Sequence, residues 1–124
     1  MPIPDHPLVR RLGFVSEAAR GWLLSNATAL IVPSPYESLS LVLLDGWNHG
    51  LPALVNGRCA VLEGQTRRAN GGLWYRNYDE FAAGLSWLLG HTVSACQLGR
   101  QGQMYVNRQY RWPQVMATLE AFLG

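Results

Sequence analysis

Glu37 and Asp45 lie eight residues apart in PSPYESLSLVLLDGWNHGLP, residues 33–52, with an apolar run between them. The chain holds 8 acidic residues in 124, so two of them around an apolar helix start call for a reason. Ser40 to His49 reads as a helix, and Gly50 is placed to stop it. On this reading the amides of Leu39, Ser40 and Leu41 fall in the first turn. Such amides have no intrahelical partner and point along the positive end of the helix dipole, which makes them an anion site. Eight residues of helix span about 12 Å. That length fits a nucleotide sugar laid across the helix start, with sugar hydroxyls at Glu37, pyrophosphate at the amides and the ribose diol at Asp45. Ionised carboxylates only accept hydrogen bonds, which suits them to hydroxyls. Spacing alone leaves a plainer reading open, in which Glu37 offsets the helix dipole and Asp45 is a solvated position.

The elements that would position these residues follow an α/β pattern. RRLGFV, ending at Val15, reads as a short strand, and Ser16 caps the helix EAARGWLL. ATALIVPS, residues 27–34, reads as a strand covered on both faces and closed by Pro33 and Pro35. PALVN and GLWY are further short strands. Between them lies a polar loop with a short helix inside. From Asn77 the pattern is helical: YDEFAAGLSWLLG capped by Asn77 or Asp79, then TVSACQLGRQGQMYVNRQY, then PQVMATLEAFL with Pro113 in its first turn. Strands alternating with helices predict a parallel sheet of about four strands with right-handed crossovers. Four strands are few for a doubly wound domain, and there is no GxGxxG turn near the start. The expectation is a partial Rossmann-like fold lacking its first strands.

Composition narrows the rest. A chain of 124 residues, 48% hydrophobic and 15% charged, is a single globular domain. The net charge of +2, carried by ten arginines and no lysine, is too small to argue for nucleic acid. Cys59 and Cys96 have no His or Cys at metal spacing, so neither a zinc site nor a disulfide framework is expected. Two thiols, no apolar core in MPIPDHPLVRRLGF and no run long enough to span a membrane predict a cytoplasmic protein. His49 reads as a basic helix C-terminus, and Trp47, Trp74, Trp87 and Trp112 as core or contact residues rather than stacking platforms. Arg58 follows a strand on the ligand side, with a contact to a phosphate or to the acceptor and a surface role all open.

Across nearly its whole length the chain resembles the C-terminal, donor-binding lobe of the GT4 family (glycosyl transferase group 1) of retaining glycosyltransferases, which have the GT-B fold. LGFVSEAARGWLLSNATALIVPSPYESLSLVLLDGWNHGLPALVN is similar to that family's run of strand, helix, strand, acidic motif, helix and strand. NGGLWYRNYDEFAAGLSWLLG and RQYRWPQVMATLEAFL resemble its later strand and helix and its aromatic-centred last helix. The family's central motif is Glu, seven residues, Glu; here it is Glu37, seven residues, Asp45. The resemblance implies that Glu37 contacts the donor sugar as the catalytic residue. It implies that Ser38, Leu39, Ser40 and Leu41 line the sugar and phosphate through the backbone, and that Asp45 holds the ribose. The implied partner is a nucleoside diphosphate sugar, with no metal or other cofactor.

Asp45 is one methylene shorter than the family's glutamate, and Ser38 and Ser40 stand where many members have Gly. The family's phosphate-binding Arg and Lys, and its acceptor-binding N-terminal lobe, belong to segments upstream of this chain. The isolated chain is therefore expected to be inactive, needing that lobe or self-association. The alternative is a non-catalytic half-lobe acting as a nucleotide-binding or protein-interaction module.

Overall fold

The computed structural model describes residues 7–10, 12–13 and 15–110, with Ala117 and Ala121. In chain order the elements are α1 (Glu17–Asn26), β1 (Leu30–Val32), α2 (Leu41–Asn48), β2 (Ala53–Asn56), α3 (Ala60–Ala69), β3 (Gly72–Tyr75), α4 (Tyr78–Gly90) and α5 (Thr92–Gln109). The three strands form one parallel sheet in the order β1-β2-β3, with Leu30 opposite Ala53 and Ala53 opposite Gly72. The α/β class and the parallel sheet are as expected. The strand count is not: among the described residues there are three strands rather than four. Leu12, Gly13 and Val15 of RRLGFV lie outside any strand, and Arg11 and Phe14 lie outside the described residues. The last predicted helix, PQVMATLEAFL, also falls outside them, save for Ala117 and Ala121, which are helical.

The period of two along β2 divides the core. Ala53 and Val55 face Leu43, Leu44 and Trp47 of α2, Leu62 of α3, and Tyr105 and Val106 of α5. Leu54 faces the other way, toward Leu88 of α4 and Ala95, with Leu73, Phe81 and Leu85 packed around them. One sheet is thus covered on both faces, which is why the strands read as unbroken apolar runs.

Local chemistry explains the element ends. The Ser16 hydroxyl accepts from the Ala19 amide, and Asn77 Oδ1 accepts from the Glu80 amide while Glu80 reaches back to the Arg76 N–H. At the end of α2, Gly50 takes φ +77°, its amide bonds the Trp47 carbonyl, and the Leu51 amide bonds the Gly46 carbonyl. This is the Schellman arrangement, in which glycine tolerates the left-handed backbone that closes a helix. It turns the chain directly into β2 and fixes how far α2 reaches toward the loop after β1.

Candidate functional site

The candidate residues sit where the loops after β1 and β2 meet, at the carboxyl end of the sheet. Open α/β sheets bind ligands at that end. Three hydrogen bonds shape the meeting point. Asn56, the last residue of β2, donates from Nδ2 to the Pro33 carbonyl at 3.0 Å, tying the two loops together. Its Oδ1 accepts from the Arg58 amide at 2.9 Å. The Ser34 hydroxyl donates to the Tyr36 carbonyl at 2.9 Å and turns the chain before Glu37. Nothing in the spacing singled out Asn56; its signal was an amide side chain at the end of an apolar strand, just before Gly57.

Glu37 is half-buried and stands between two grooves. One, of about 620 Å³, runs along the end of β1 past Pro33, Ser34 and Val42. The other, of about 600 Å³, lies between Tyr36, Ser38, Arg58 and Cys59. Both volumes fall within the range of small-molecule sites. Arg58 donates from Nε to the Arg76 carbonyl at 2.9 Å, which anchors it at the rim of the second groove, and its terminal nitrogens have no partner among the described residues.

The helix starts later than the sequence predicts. Ser40 is the N-cap, outside the helix, and its hydroxyl accepts from the Leu43 amide at 3.2 Å. Leu41 and Val42 therefore supply the two first-turn amides left for an anion, in place of Leu39 and Ser40. Ser capping wins over helix continuation because its side chain competes for nearby backbone donors. Ser40 is buried, whereas Ser38 and Leu39 are exposed in the loop.

Asp45 does not join Glu37. It lines neither of the grooves that Glu37 lines, and it is 5% exposed on the inward side of α2. Its Oδ2 is ion-paired with Arg20 of α1, while Oδ1 is buried with no hydrogen-bond partner. The shared groove and the solvated position are both corrected by this placement. Only the stretch from Leu41 is helical, so three of the seven residues between the acids lie outside the helix, and the 12 Å helical ruler does not apply. Arg20 was missed because its partner is 25 residues away in sequence and no local periodicity encodes the pair.

His49 is also recast. It caps α2, and its Nδ1–H donates to the Asp45 carbonyl at 2.8 Å. Burial, followed by the nearby Arg20 charge, lowers its pKa from 6.5. His49 therefore satisfies a helix-end carbonyl as a neutral ring instead of meeting the dipole as a cation. A base with a depressed folded pKa is protonated more readily when unfolded, so stability is complete above about pH 6.5 and is lost as pH falls through the folded value. The melting temperature is expected to drop between pH 7.5 and pH 5 less steeply in His49→Asn than in the parent. Parallel profiles would remove His49 as the source.

The remaining candidates are structural. Trp47 is a core residue, Trp87 stacks on His91 at 4.7 Å, and Trp74 is partly exposed beneath Arg67. Trp112 lies outside the described residues. Cys59 is buried and Cys96 exposed. No group of His, Cys, Asp and Glu side chains suited to a metal ion occurs among the described residues, and no helix there is long and apolar enough to cross a membrane.

No family model matches the chain, and neither does any curated protein. Among solved structures it is similar to a sucrose-phosphate synthase from Thermosynechococcus elongatus, with 24% identity over 82% of this chain and a TM-score of 0.66. The match takes in 27% of that protein, so the chain spans about a quarter of its length. At this identity the likeness carries the fold, that of a partial Rossmann-like GT-B lobe, and no narrower family.

Proposed function

We propose that this chain is the donor-binding part of a retaining glycosyltransferase of the GT4 kind, taking a nucleoside diphosphate sugar at the carboxyl end of β1. The observation that carries the reading is Glu37. It is a half-buried carboxylate between two grooves, beside the two uncapped amides of α2. Glu37 would accept from the sugar hydroxyls. The Leu41 and Val42 amides, with the terminal nitrogens of Arg58, would face the diphosphate, and Ser38 and Leu39 would border the sugar. Leaving-group stabilisation is an electrostatic task. In the resembled family that task falls largely on a basic pair from a segment outside these 124 residues, so the donor affinity of the 124 residues alone is expected to be low.

Charge-assisted hydrogen bonds contribute roughly 1.5–3 kcal/mol each. Without two of them, a micromolar affinity falls about 10²- to 10⁴-fold, toward or past ~1 mM. The isolated chain is accordingly expected to bind the donor weakly and not to transfer sugar. Acceptor binding would come from a further lobe. Among the described residues β1 is one of the two edge strands of the sheet, and an unpaired edge favours association with such a lobe or with a second copy. A cytoplasmic location belongs to the same proposal.

The test is an NMR titration of the isolated chain with the uridine, guanosine and adenosine diphosphates and their glucose conjugates. Glu37→Ala should weaken a diphosphate sugar about tenfold and leave the matching nucleoside diphosphate unchanged, because the carboxylate addresses the sugar alone. Equal losses for both, or none for either, would sink the assignment.

A further inference from the structure

We propose a second ligand site, for a small polyhydroxylated anion, in the recess between α3, the Ser38–Leu39 loop and Tyr110. The recess has a volume of about 390 Å³ and is bordered by Ser38, Leu39, Val61, Gln65, Arg68 and Tyr110. It shares Ser38 and the start of α3 with the neighbouring groove but includes neither Glu37 nor Arg58. The inference therefore does not depend on the nucleotide-sugar reading.

Helical spacing builds the wall. Val61, Gln65 and Arg68 stand at i, i+4 and i+7, so they fall on one face of α3. Gln65 is only 2% exposed, and its Oε1 has no hydrogen-bond partner. A buried amide oxygen without a donor is destabilising and uncommon, and it asks for a hydroxyl or N–H from outside the fold. Arg68 is exposed and makes no ion pair among the described residues; Glu63, on the same helix, is taken by Arg67 and Arg76. Its guanidinium presents donors that cannot be deprotonated, and these suit a carboxylate or phosphate. Burial, then a hydrogen bond with Tyr105, raises the Tyr110 phenol above its ordinary value of 10 against the opposing influence of the Gln65 amide and the Arg68 charge, so it stays a neutral hydroxyl already engaged with Tyr105 and with the Gln65 amide. Among the described residues the wall thus offers one acceptor without a donor, Gln65 Oε1, and one cation without an ion pair, Arg68.

That set selects the ligand. A neutral polyol satisfies Gln65 and leaves Arg68 without an anion. Inorganic phosphate satisfies Arg68 and has only a P–OH of the same small ion to offer Gln65 Oε1. A molecule carrying hydroxyls and an anionic group a few bonds apart meets both. The anion could be a carboxylate or a phosphate ester, and the two are separated by choice of probe.

The experiment is an NMR titration of the full, nitrogen-15-labelled chain with gluconate and with glucitol 6-phosphate, using sorbitol and inorganic phosphate as the partial probes. The Gln65 side-chain amide and the Arg68 Nε–H signals should shift saturably with at least one hydroxylated anion, at least about tenfold more tightly than with either partial probe. The tighter of the two anions identifies the anionic group. Arg68→Gln should cost about tenfold or more in affinity. Gln65→Leu, which keeps the volume and removes the unsatisfied oxygen, should erase the preference over phosphate while the chain stays folded. The proposal is overturned by no saturable shift at these two residues, by equal affinity for inorganic phosphate and the phosphorylated polyol, or by unchanged binding in Arg68→Gln. Displacement of the bound anion by a nucleoside diphosphate sugar would merge the recess with the Glu37 groove and overturn a separate site.

Discussion

Trp47→Ala is expected to cost about 3–5 kcal/mol of stability, the range for emptying a fully buried aromatic position. Trp47 is 0% exposed at the centre of the core between α2, β2 and α5. Its indole Nε1 donates to the Gly71 carbonyl at 3.0 Å, and its ring meets Tyr105 edge to face at 5.8 Å. Two glycines make the slot. A Cβ on Gly71 would stand 2.7 Å from Trp47 Cε2, and one on Gly102 would stand 2.5 Å from Cγ. The backbone before β3 and the backbone of α5 therefore both close directly onto the ring. Removing the ring leaves a cavity that rigid backbone on two sides cannot collapse into, and it takes one of two hydrogen bonds from the Gly71 carbonyl, which keeps the Ala53 amide. A domain of this size has roughly 5–15 kcal/mol to lose, so the loss is a large share of the total. Urea denaturation followed by far-UV circular dichroism measures it. Trp47→Phe, which keeps most of the volume and loses the N–H, should fall between the parent and Trp47→Ala. A change below about 1 kcal/mol for Trp47→Ala would mean that the core is organised elsewhere.

What the sequence disclosed and what it hid divide along the range of the interaction. Ser16, Asn77 and Gly50 act on backbone groups a few residues away, and all three were legible as caps and a stop. The strands at PALVN and GLWY were legible because a sheet covered on both faces leaves an unbroken apolar run. β1 came out shorter than its apolar run, three residues inside the predicted eight, because Pro33 lacks the N–H a ladder needs. The start of α2 was misjudged by one residue of capping chemistry: Ser40 can begin a helix or cap one, and its hydroxyl chose the Leu43 amide. That single residue moves the free amides to Leu41 and Val42. Arg20, Asn56 and Gln65 matter through contacts with distant segments or through contacts they lack. No window of neighbouring residues contains either kind of information.

Arg20→Met is expected to destabilise the protein by about 2–3 kcal/mol, although Arg20 lies on α1, a helix with no fully buried residue. The cost arises at the other end of the pair. Asp45 has its side chain 8% exposed, and its Oδ1 already lacks a hydrogen bond. Arg20 is the cation that compensates its charge, and the neutral His49 ring, 3.6 Å from Oδ1, cannot take over that role. The full penalty for breaking a buried pair is about 3–5 kcal/mol; the 31% exposure of the Arg20 side chain lets water reach the site and reduces it. The reciprocal change differs in sign of consequence. In Asp45→Leu the partly exposed Arg20 swings into solvent at little cost, and the apolar side chain faces the core side of α2. The double variant Arg20→Met, Asp45→Leu should therefore recover most of the stability that Arg20→Met loses, which urea midpoints of the four proteins would show as a coupling well above 1 kcal/mol. Removing Arg20 alone also lifts one of the two influences that depress His49, so the imidazole should titrate at higher pH in Arg20→Met than in the parent. If Arg20→Met is silent in both stability and His49 titration, Asp45 is not held by α1. Its carboxylate would then be free to turn toward the groove beside Glu37, as the spacing in the sequence first suggested.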